Sequence, residues 1–276
     1  MQYGFIGAGN MVSSILNGVL GIKKENTTDF KIDPKDIYIT SKTVTSAKKL
    51  NETLGGGCVV CDDSLDIVAN CDVVILGVKP HILEDVFPII KEKIKEKNTI
   101  IVTIAAGKKI EFYQEQLGKE VKLVRVMPNI NGEVGMATSC FCCTDTVTEA
   151  EKNTVKSLFE TIGTMTEIEE SIFPIFQGLA GSSIAFGYLY INALADGAVK
   201  AGMPKKQALA IIADSVIGCG TMVKETGEHP VSIVDRICSP KGVTIEGVTA
   251  LEEAGFSASL RTAFSAMIEK DLQMSK

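Results

Sequence analysis

Short apolar runs alternate with helical patterns over the first part of the chain. The first run covers residues 3–6 and stops at a glycine turn that leads into a helical pattern. Further strand-like runs follow at residues 37–40, 73–78, 99–104 and 123–127. Helical patterns separate most of them, at residues 43–54, 82–95 and 110–117. This alternation predicts a parallel sheet with helices on its faces.

The pattern changes after about residue 168, where strand-like runs end. Helical patterns then cover residues 175–201, 204–225, 229–237, 244–254 and 256–273. Gly202 and Pro204 suit the end of one helix and the beginning of the next. We therefore expect an α/β domain over residues 1–168 and an all-helical domain over residues 169–276.

Composition and charge are those of an ordinary globular protein. Hydrophobic residues make up 45% of the 276 residues and charged residues 22%. The net charge of −6 argues against a nucleic-acid partner, because phosphate binding needs clustered lysines and arginines. The eight cysteines lack the spacing of a small disulfide-linked domain, which favours reduced thiols and a cytoplasmic location. Histidines and cysteines are not spaced as metal ligands, so no metal site is predicted.

One uncharged stretch, residues 171–195, is long enough to span a bilayer. It contains Pro174, Gln177 and Asn192 and lacks flanking aromatic and basic anchors. Helices that are apolar nearly all round also occur inside large cores and at oligomer interfaces. We expect this stretch to be buried in protein rather than to cross a membrane.

A glycine turn joins the first strand to the first helix. Its residues match the first two glycines of the dinucleotide fingerprint, whereas the third position holds Val12. Glycine there lets the backbone approach a pyrophosphate at the beginning of a helix. The turn predicts a Rossmann-type domain with these cofactor-binding residues: Gly7, Ala8, Gly9, Asn10 and Met11. An ordinary tight turn between strand and helix is the alternative.

The end of the second strand bears on the choice of cofactor. Enzymes that prefer NAD usually carry Asp or Glu there, to bind the ribose 2′-hydroxyl. This chain has Ser41 and Lys42 instead, and hydroxyls with one cation suit a 2′-phosphate better. We predict that both residues bind the cofactor and favour NADP(H), with NAD(H) as the alternative. A lysine on the surface of a helix beginning would give the same pattern.

Five motifs in order resemble the pyrroline-5-carboxylate reductase family over nearly the whole chain. They are residues 74–81 (VILGVKPH), 126–129 (VMPN), 193–202 (ALADGAVKAG), 227–230 (GEHP) and 239–245 (SPKGVTI). The resemblance implies a dinucleotide-binding domain followed by a helical domain that interlocks with a second subunit, as a homodimer or larger homo-oligomer. It also implies transfer of a hydride from NAD(P)H to the C=N carbon of 1-pyrroline-5-carboxylate, which gives proline.

The resemblance also carries residue roles. The backbone of Gly77, Val78, Lys79 and Pro80 would pass the nicotinamide half of the cofactor, and Asn129 would lie near the substrate. Thr244 would be catalytic, bonding the ring nitrogen as imine becomes amine. The loop before it would bind the substrate carboxylate through backbone N–H groups at a helix beginning: Ser239, Lys241, Gly242 and Val243. A helix cap at Thr244 and a turn at Ser239 are the structural alternatives.

The chain departs from the family pattern around the expected active site. The departures are Ile130 and Asn131 for Thr-Pro, Ser183 and Ile184 for Gly-Pro, Lys241 for Gly, and Asp63 for Asn. An aspartate facing a cofactor phosphate would be unfavourable. The departures leave three possibilities: a divergent reductase, a reductase of another cyclic imine, or a non-catalytic NAD(P)-binding dimer. A β-hydroxyacid dehydrogenase would need a lysine as acid and base in the helix at 175–195, which has none.

Overall fold

The computed structural model describes residues 1–22 and 28–274. Within these residues one sheet contains the strands β1 (Tyr3–Ile6), β2 (Ile37–Thr40), β3 (Val59–Val60), β4 (Val73–Leu76), β5 (Ile100–Thr103), β6 (Lys122–Met127), β7 (Ala137–Cys143) and β8 (Gly163–Glu167). The first six helices are α1 (Asn10–Val19), α2 (Val44–Thr53), α3 (Ser64–Asn70), α4 (Pro80–Lys97), α5 (Ile110–Leu117) and α6 (Glu149–Glu160). The remaining helices are α7 (Phe173–Phe176), α8 (Ile184–Lys200), α9 (Lys205–Thr226), α10 (Pro230–Ile237), α11 (Val243–Glu253) and α12 (Phe256–Met274).

The strand order is β3-β2-β1-β4-β5-β6-β7-β8, and neighbouring strands are parallel except for β6 and β7. Phe5 of β1 lies opposite Ile39 of β2 on one side and Ile75 of β4 on the other. The chain therefore winds outward in both directions from β1. In such sheets, ligands bind beyond the carboxyl ends of the strands at this reversal point. The predicted Rossmann-type architecture is confirmed.

Helices cover both faces of the sheet, so its central strands are apolar throughout. Every residue of β1, β4 and β5 is buried. One apolar layer contains Phe5 together with Ile15 of α1 and Leu158 of α6. The opposite layer contains Leu76 and Leu83. These two layers fix the carboxyl ends of the strands relative to the helix beginnings, which is where the candidate site lies.

Three strands, β3, β7 and β8, were not predicted from the sequence. β3 has two residues, too few for a pattern. β7 is rich in cysteine and small residues, and β8 is a mostly polar strand at the end of the sheet. Cysteine and small residues give a weak strand signal, and the pairing of β7 with β6 depends on contacts far apart in the sequence.

The predicted helix over residues 175–201 is not continuous. It begins as α7, passes through a π-helical segment at Gln177–Ser182 and resumes as α8. Two glycines, Gly178 and Gly181, lie in this segment, and glycine weakens regular helix geometry. The described chain divides there into two compact units: residues 1–181 with the last turn of α12 from Lys270, and Ser182–Glu269. The domain boundary at residue 168 stays a prediction.

A partly buried ion pair joins β6 to the segment after β8. The guanidinium of Arg125 donates to Glu170 Oε1 at 2.8 Å, and the same oxygen accepts from the backbone N–H of Ile110 at 2.8 Å. The ring of Phe173 lies 4.1 Å from the guanidinium carbon. The Arg125 side chain is only 6% exposed, so this charge depends on its partners for stability.

The helical unit exposes much apolar surface in a single copy. Leu189 of α8 is 67% exposed and Ile217 of α9 is 56% exposed. Lys205 links α9 to α8: its Nζ donates hydrogen bonds to Asp196 Oδ1 at 2.5 Å and to Asn192 Oδ1 at 2.9 Å. Two helical stretches, Glu170–Lys200 and Lys205–Thr226, are long and apolar enough to cross a membrane. Exposed apolar faces of this extent are also typical of protein–protein interfaces.

Candidate active site

The glycine turn has the backbone geometry that the sequence predicted. Gly7 has φ +123°, a conformation that favours glycine, and a Cβ there would lie 2.5 Å from the carbonyl oxygen of Gly77. Helix α1 begins after Gly9, which provides no side-chain cap, and its first turn has no acidic residue. The first N–H groups of such a helix have no acceptor within the helix and bind anions well.

The structure brings together all eleven residues that the sequence assigned to cofactor binding. They line one cavity of about 760 Å³: Gly7, Ala8, Gly9, Asn10, Met11, Ser41, Lys42, Gly77, Val78, Lys79 and Pro80. A backbone turn, a helix beginning and two lysines at the carboxyl ends of β1, β2 and β4 fit the diphosphate and ribose groups of a dinucleotide. Direct contact of each residue with a cofactor stays a prediction.

The segment after β2 extends the cavity with hydroxyl groups. Ser41 Oγ donates to the carbonyl oxygen of Thr43 at 2.8 Å, and the hydroxyls of Thr43 and Ser46 are 2.8 Å apart. All three residues line the cavity beside Lys42, whose side chain is exposed. This end of the cavity has hydrogen-bond donors and one cation, which suit a phosphate on the adenosine ribose.

Asp63 does not line this cavity. Its Oδ1 accepts hydrogen bonds from the backbone N–H groups of Leu65 at 2.8 Å and Asp66 at 2.9 Å, which makes it the N-cap of α3. Aspartate is as good an N-cap as asparagine. Asp63 therefore has a local structural role at this departure from the family. Because Asp63 does not line the cavity, it makes no unfavourable contact with a phosphate bound among the cavity residues.

The other end of the cavity was missed by the sequence analysis. It is lined by Ile104, Ala105 and Ala106 after β5, and by Ile130 and Glu133 after β6. Ile130 had been identified only as a departure from the family, and Glu133 not at all. Ile130 and Glu133 come shortly after the motif at residues 126–129, but the order of β4, β5 and β6 in the sheet is what brings all five residues to the cavity.

Asn129 anchors the turn that follows β6. Its Oδ1 accepts from the backbone N–H of Asn131 at 3.2 Å and of Thr138 at 3.4 Å. Its Nδ2 donates to the carbonyl oxygen of Ala180 at 2.8 Å. The residue is 5% exposed and does not line the cavity. These contacts give Asn129 a structural role, whereas the predicted contact with substrate is untested.

The predicted substrate loop lies in the helical unit as one continuous turn. Lys241 has φ +60°, and the backbone N–H of Gly242 donates to the carbonyl oxygen of Ser239 at 2.9 Å. With Pro240 second and a positive φ third, this is a type II turn. A Cβ on Gly242 would collide with Oγ of Ser239. The turn therefore places these residues directly before α11.

Helix α11 begins with two exposed residues. Val243 is 90% exposed, and Thr244, the second residue of the helix, is also exposed. The preceding residue, Gly242, provides no side-chain cap, so the first N–H groups of α11 have no side-chain acceptor from the cap position. Thr244 thus lies in the first turn of α11, at the positive end of the helix. Its catalytic role remains a prediction.

Two family models match the beginning and the end of the chain. Residues 2–107 match the family described as NADP oxidoreductase, coenzyme F420-dependent, and residues 170–274 match the dimerisation domain of pyrroline-5-carboxylate reductase. The pyrroline-5-carboxylate reductases of Arabidopsis thaliana and Methanosarcina acetivorans are each 36% identical to this chain over 275 residues. Both alignments cover 100% of this chain; they cover 96% of the Arabidopsis protein and 98% of the Methanosarcina protein. The chain belongs to the pyrroline-5-carboxylate reductase family.

Solved structures of relatives agree with this family. The Plasmodium falciparum pyrroline carboxylate reductase with NADP bound superposes with a TM-score of 0.86 at 26% identity, covering 100% of this chain and 98% of that one. The Coxiella burnetii pyrroline-5-carboxylate reductase gives a TM-score of 0.88 at the same identity and coverage. The helical unit is a dimerisation domain, and its exposed apolar faces fit contact between subunits.

Proposed function

We propose that this chain reduces 1-pyrroline-5-carboxylate to L-proline with NADPH, as a cytoplasmic homodimer or larger homo-oligomer of proline biosynthesis. The observation that carries the proposal is the single cavity lined by all eleven predicted cofactor residues, in a chain about one third identical to reductases of this name over its full length. Free thiols at all eight cysteines support the cytoplasmic location.

The cavity residues would hold NADP(H) at three points. The backbone of Gly7 to Gly9 and the beginning of α1 would bind the diphosphate. Ser41 and Lys42 would bind the 2′-phosphate through a hydroxyl and a cation. The bound cofactor supplies the hydride. The backbone after β4, at Gly77 and Val78, would lie beside the nicotinamide half and help keep water away from it.

The loop before α11 would orient the substrate. The turn from Ser239 to Gly242 and the free N–H groups of the helix beginning would bind the substrate carboxylate, with Lys241 adding a positive charge. The hydroxyl of Thr244 would donate a hydrogen bond to the ring nitrogen. It would hold the nitrogen in place while the C=N double bond becomes a C–N single bond and the nitrogen becomes an amine.

The test measures the oxidation of NADPH and of NADH in the presence of 1-pyrroline-5-carboxylate. The readout is the loss of the absorbance of the reduced nicotinamide. Wild type, Thr244→Ala and Thr249→Ala are compared, since Thr249 is an exposed threonine farther along the same helix. We expect turnover that falls by about one to three orders of magnitude in Thr244→Ala and is kept in Thr249→Ala.

Two alternatives give different results in this experiment. A reductase of another cyclic imine would bind NADPH and turn over a different ring but not 1-pyrroline-5-carboxylate. A non-catalytic protein would bind NADPH and dimerise without any turnover. Folded protein that binds NADPH and oxidises none with 1-pyrroline-5-carboxylate would therefore reject the proposed substrate.

A further inference from the structure

Glu133 is the acidic residue of the dinucleotide cavity. Among the described residues that line it, Glu133 alone carries a carboxylate, and the other charged residues that line the cavity are Lys42 and Lys79. The side chain is exposed, and within the described part of the chain no cation forms an ion pair with it. Its negative charge is therefore available to a molecule in the cavity.

The position of Glu133 is fixed by the turn after β6. It lies in the 3₁₀ helix Ile130–Val134, whose N-cap is the buried Asn129. The backbone N–H of Gly132 donates to the carbonyl oxygen of Asn129 at 3.1 Å, and Gly132 is itself buried. The carboxylate is thus on a short, anchored element rather than on a long loop.

The strand order assigns Glu133 to one end of a bound dinucleotide. Strand β2, with Lys42 just after it, lies on one side of β1, and β4, β5 and β6 lie on the other. Dinucleotides place their adenosine ribose at the end of β2 and their diphosphate at the glycine turn. Glu133, after β6, is therefore at the end that receives the nicotinamide.

We infer that Glu133 makes the protein bind oxidised cofactor more tightly, relative to reduced cofactor, than it would without this carboxylate. Hydride transfer removes two electrons and one proton from the nicotinamide ring, which changes from neutral to singly positive. A carboxylate at this end attracts the oxidised ring and not the reduced one. The inference rests on the proposed function only in requiring that the cavity binds NADP(H).

The experiment measures the dissociation constants of NADPH and NADP⁺ separately, by calorimetric titration without substrate. Wild type is compared with Glu133→Gln, which keeps the shape and removes the charge. Glu115→Gln is the matched control, because Glu115 is an exposed glutamate of α5 away from the cavity. We expect the Kd of NADP⁺ divided by that of NADPH to rise about three- to tenfold in Glu133→Gln alone. The rise should shrink as salt is added.

The outcomes separate this inference from the proposed function. An unchanged ratio in Glu133→Gln, or an equal change in Glu115→Gln, would overturn the role of Glu133. Equal weakening of both cofactors would also overturn it, since the carboxylate would then act on their common part. A changed ratio in a protein that does not reduce 1-pyrroline-5-carboxylate would support the inference and reject the substrate. Wild type that binds neither cofactor would reject both.

Discussion

Val12 and Gly77 share one space between α1 and the end of β4. A Cβ built on Gly77 would overlap Cγ2 of Val12, whose side chain is 1% exposed. The dinucleotide fingerprint normally has glycine or alanine at the position of Val12, so that helix and strand can approach closely. In this chain the residue without a side chain is Gly77, directly after β4, and α1 can therefore still approach the sheet closely. The departure at Val12 is therefore compatible with a dinucleotide site.

Replacing Gly77 with alanine should force α1 away from β4. We expect Gly77→Ala to lower the free energy of unfolding by about 1–3 kcal/mol, as overpacked cores do, and to weaken NADPH binding because both residues line the cavity. Denaturant unfolding and NADPH titration measure the two effects. In a Val12→Ala background the same Gly77 change should be nearly neutral, because the space is then free. An equal loss in both backgrounds would show that the two side chains do not compete.

Lys42 should distinguish NADPH from NADH. Its charge lies after β2 with Ser41, where a 2′-phosphate is expected, and the adjacent hydroxyls are neutral. We expect Lys42→Ala to weaken NADPH binding about tenfold and to change NADH binding little. Lys48→Ala, an exposed lysine of α2 outside the cavity, is the control. Equal weakening of both cofactors would mean that Lys42 acts through general charge rather than on the 2′-phosphate.

Local motifs allowed the sequence to predict half of the cofactor cavity. The glycine turn and Ser41 with Lys42 each directly follow a buried strand, so the strand pattern located them, whereas the residues after β4 were assigned from the resemblance to the family. Glu133 was not found in this way: it comes shortly after the motif at residues 126–129, but no glycine turn or strand end marks its own position. Its place in the cavity follows from strand order, which depends on contacts between distant parts of the chain.

Asn129 and Asp63 illustrate a second limit of sequence reasoning. Both are polar residues at the end of a strand or the beginning of a helix, where ligand contacts and helix caps use the same side chains. The structure uses both as caps: Asp63 for α3 and Asn129 for the 3₁₀ helix before Glu133. Only the hydrogen bonds distinguish the two uses, and those depend on which backbone N–H groups lie nearby.

Lys241 has an unfavourable backbone conformation, and its positive charge is expected to bind the substrate carboxylate. Its φ of +60° is unfavourable for a residue with a Cβ. We expect Lys241→Gly to raise the free energy of unfolding by roughly 0.5–1 kcal/mol. Lys241→Ala keeps the Cβ and should bring no such gain, while both variants should raise KM for the substrate if the lysine charge binds its carboxylate. Stability that rises equally in both variants would assign the effect to the charge instead.

Cys58 and Cys61 have the spacing of a redox pair, yet they should behave as inert thiols. Burial raises the pKa of both to about 11, and Asp66, Asp63 and Asp62 add to the rise at Cys61. We expect native protein at neutral pH to leave both unmodified by iodoacetamide, with labelling once denaturant is added, measured by peptide mass spectrometry. Because folding raises their pKa, the stability they contribute is complete below their usual pKa of 9.0 and is lost as pH rises toward 11. Fast labelling of native protein near neutral pH, or a disulfide between the two under mild oxidation, would show that one of them is a reactive thiolate.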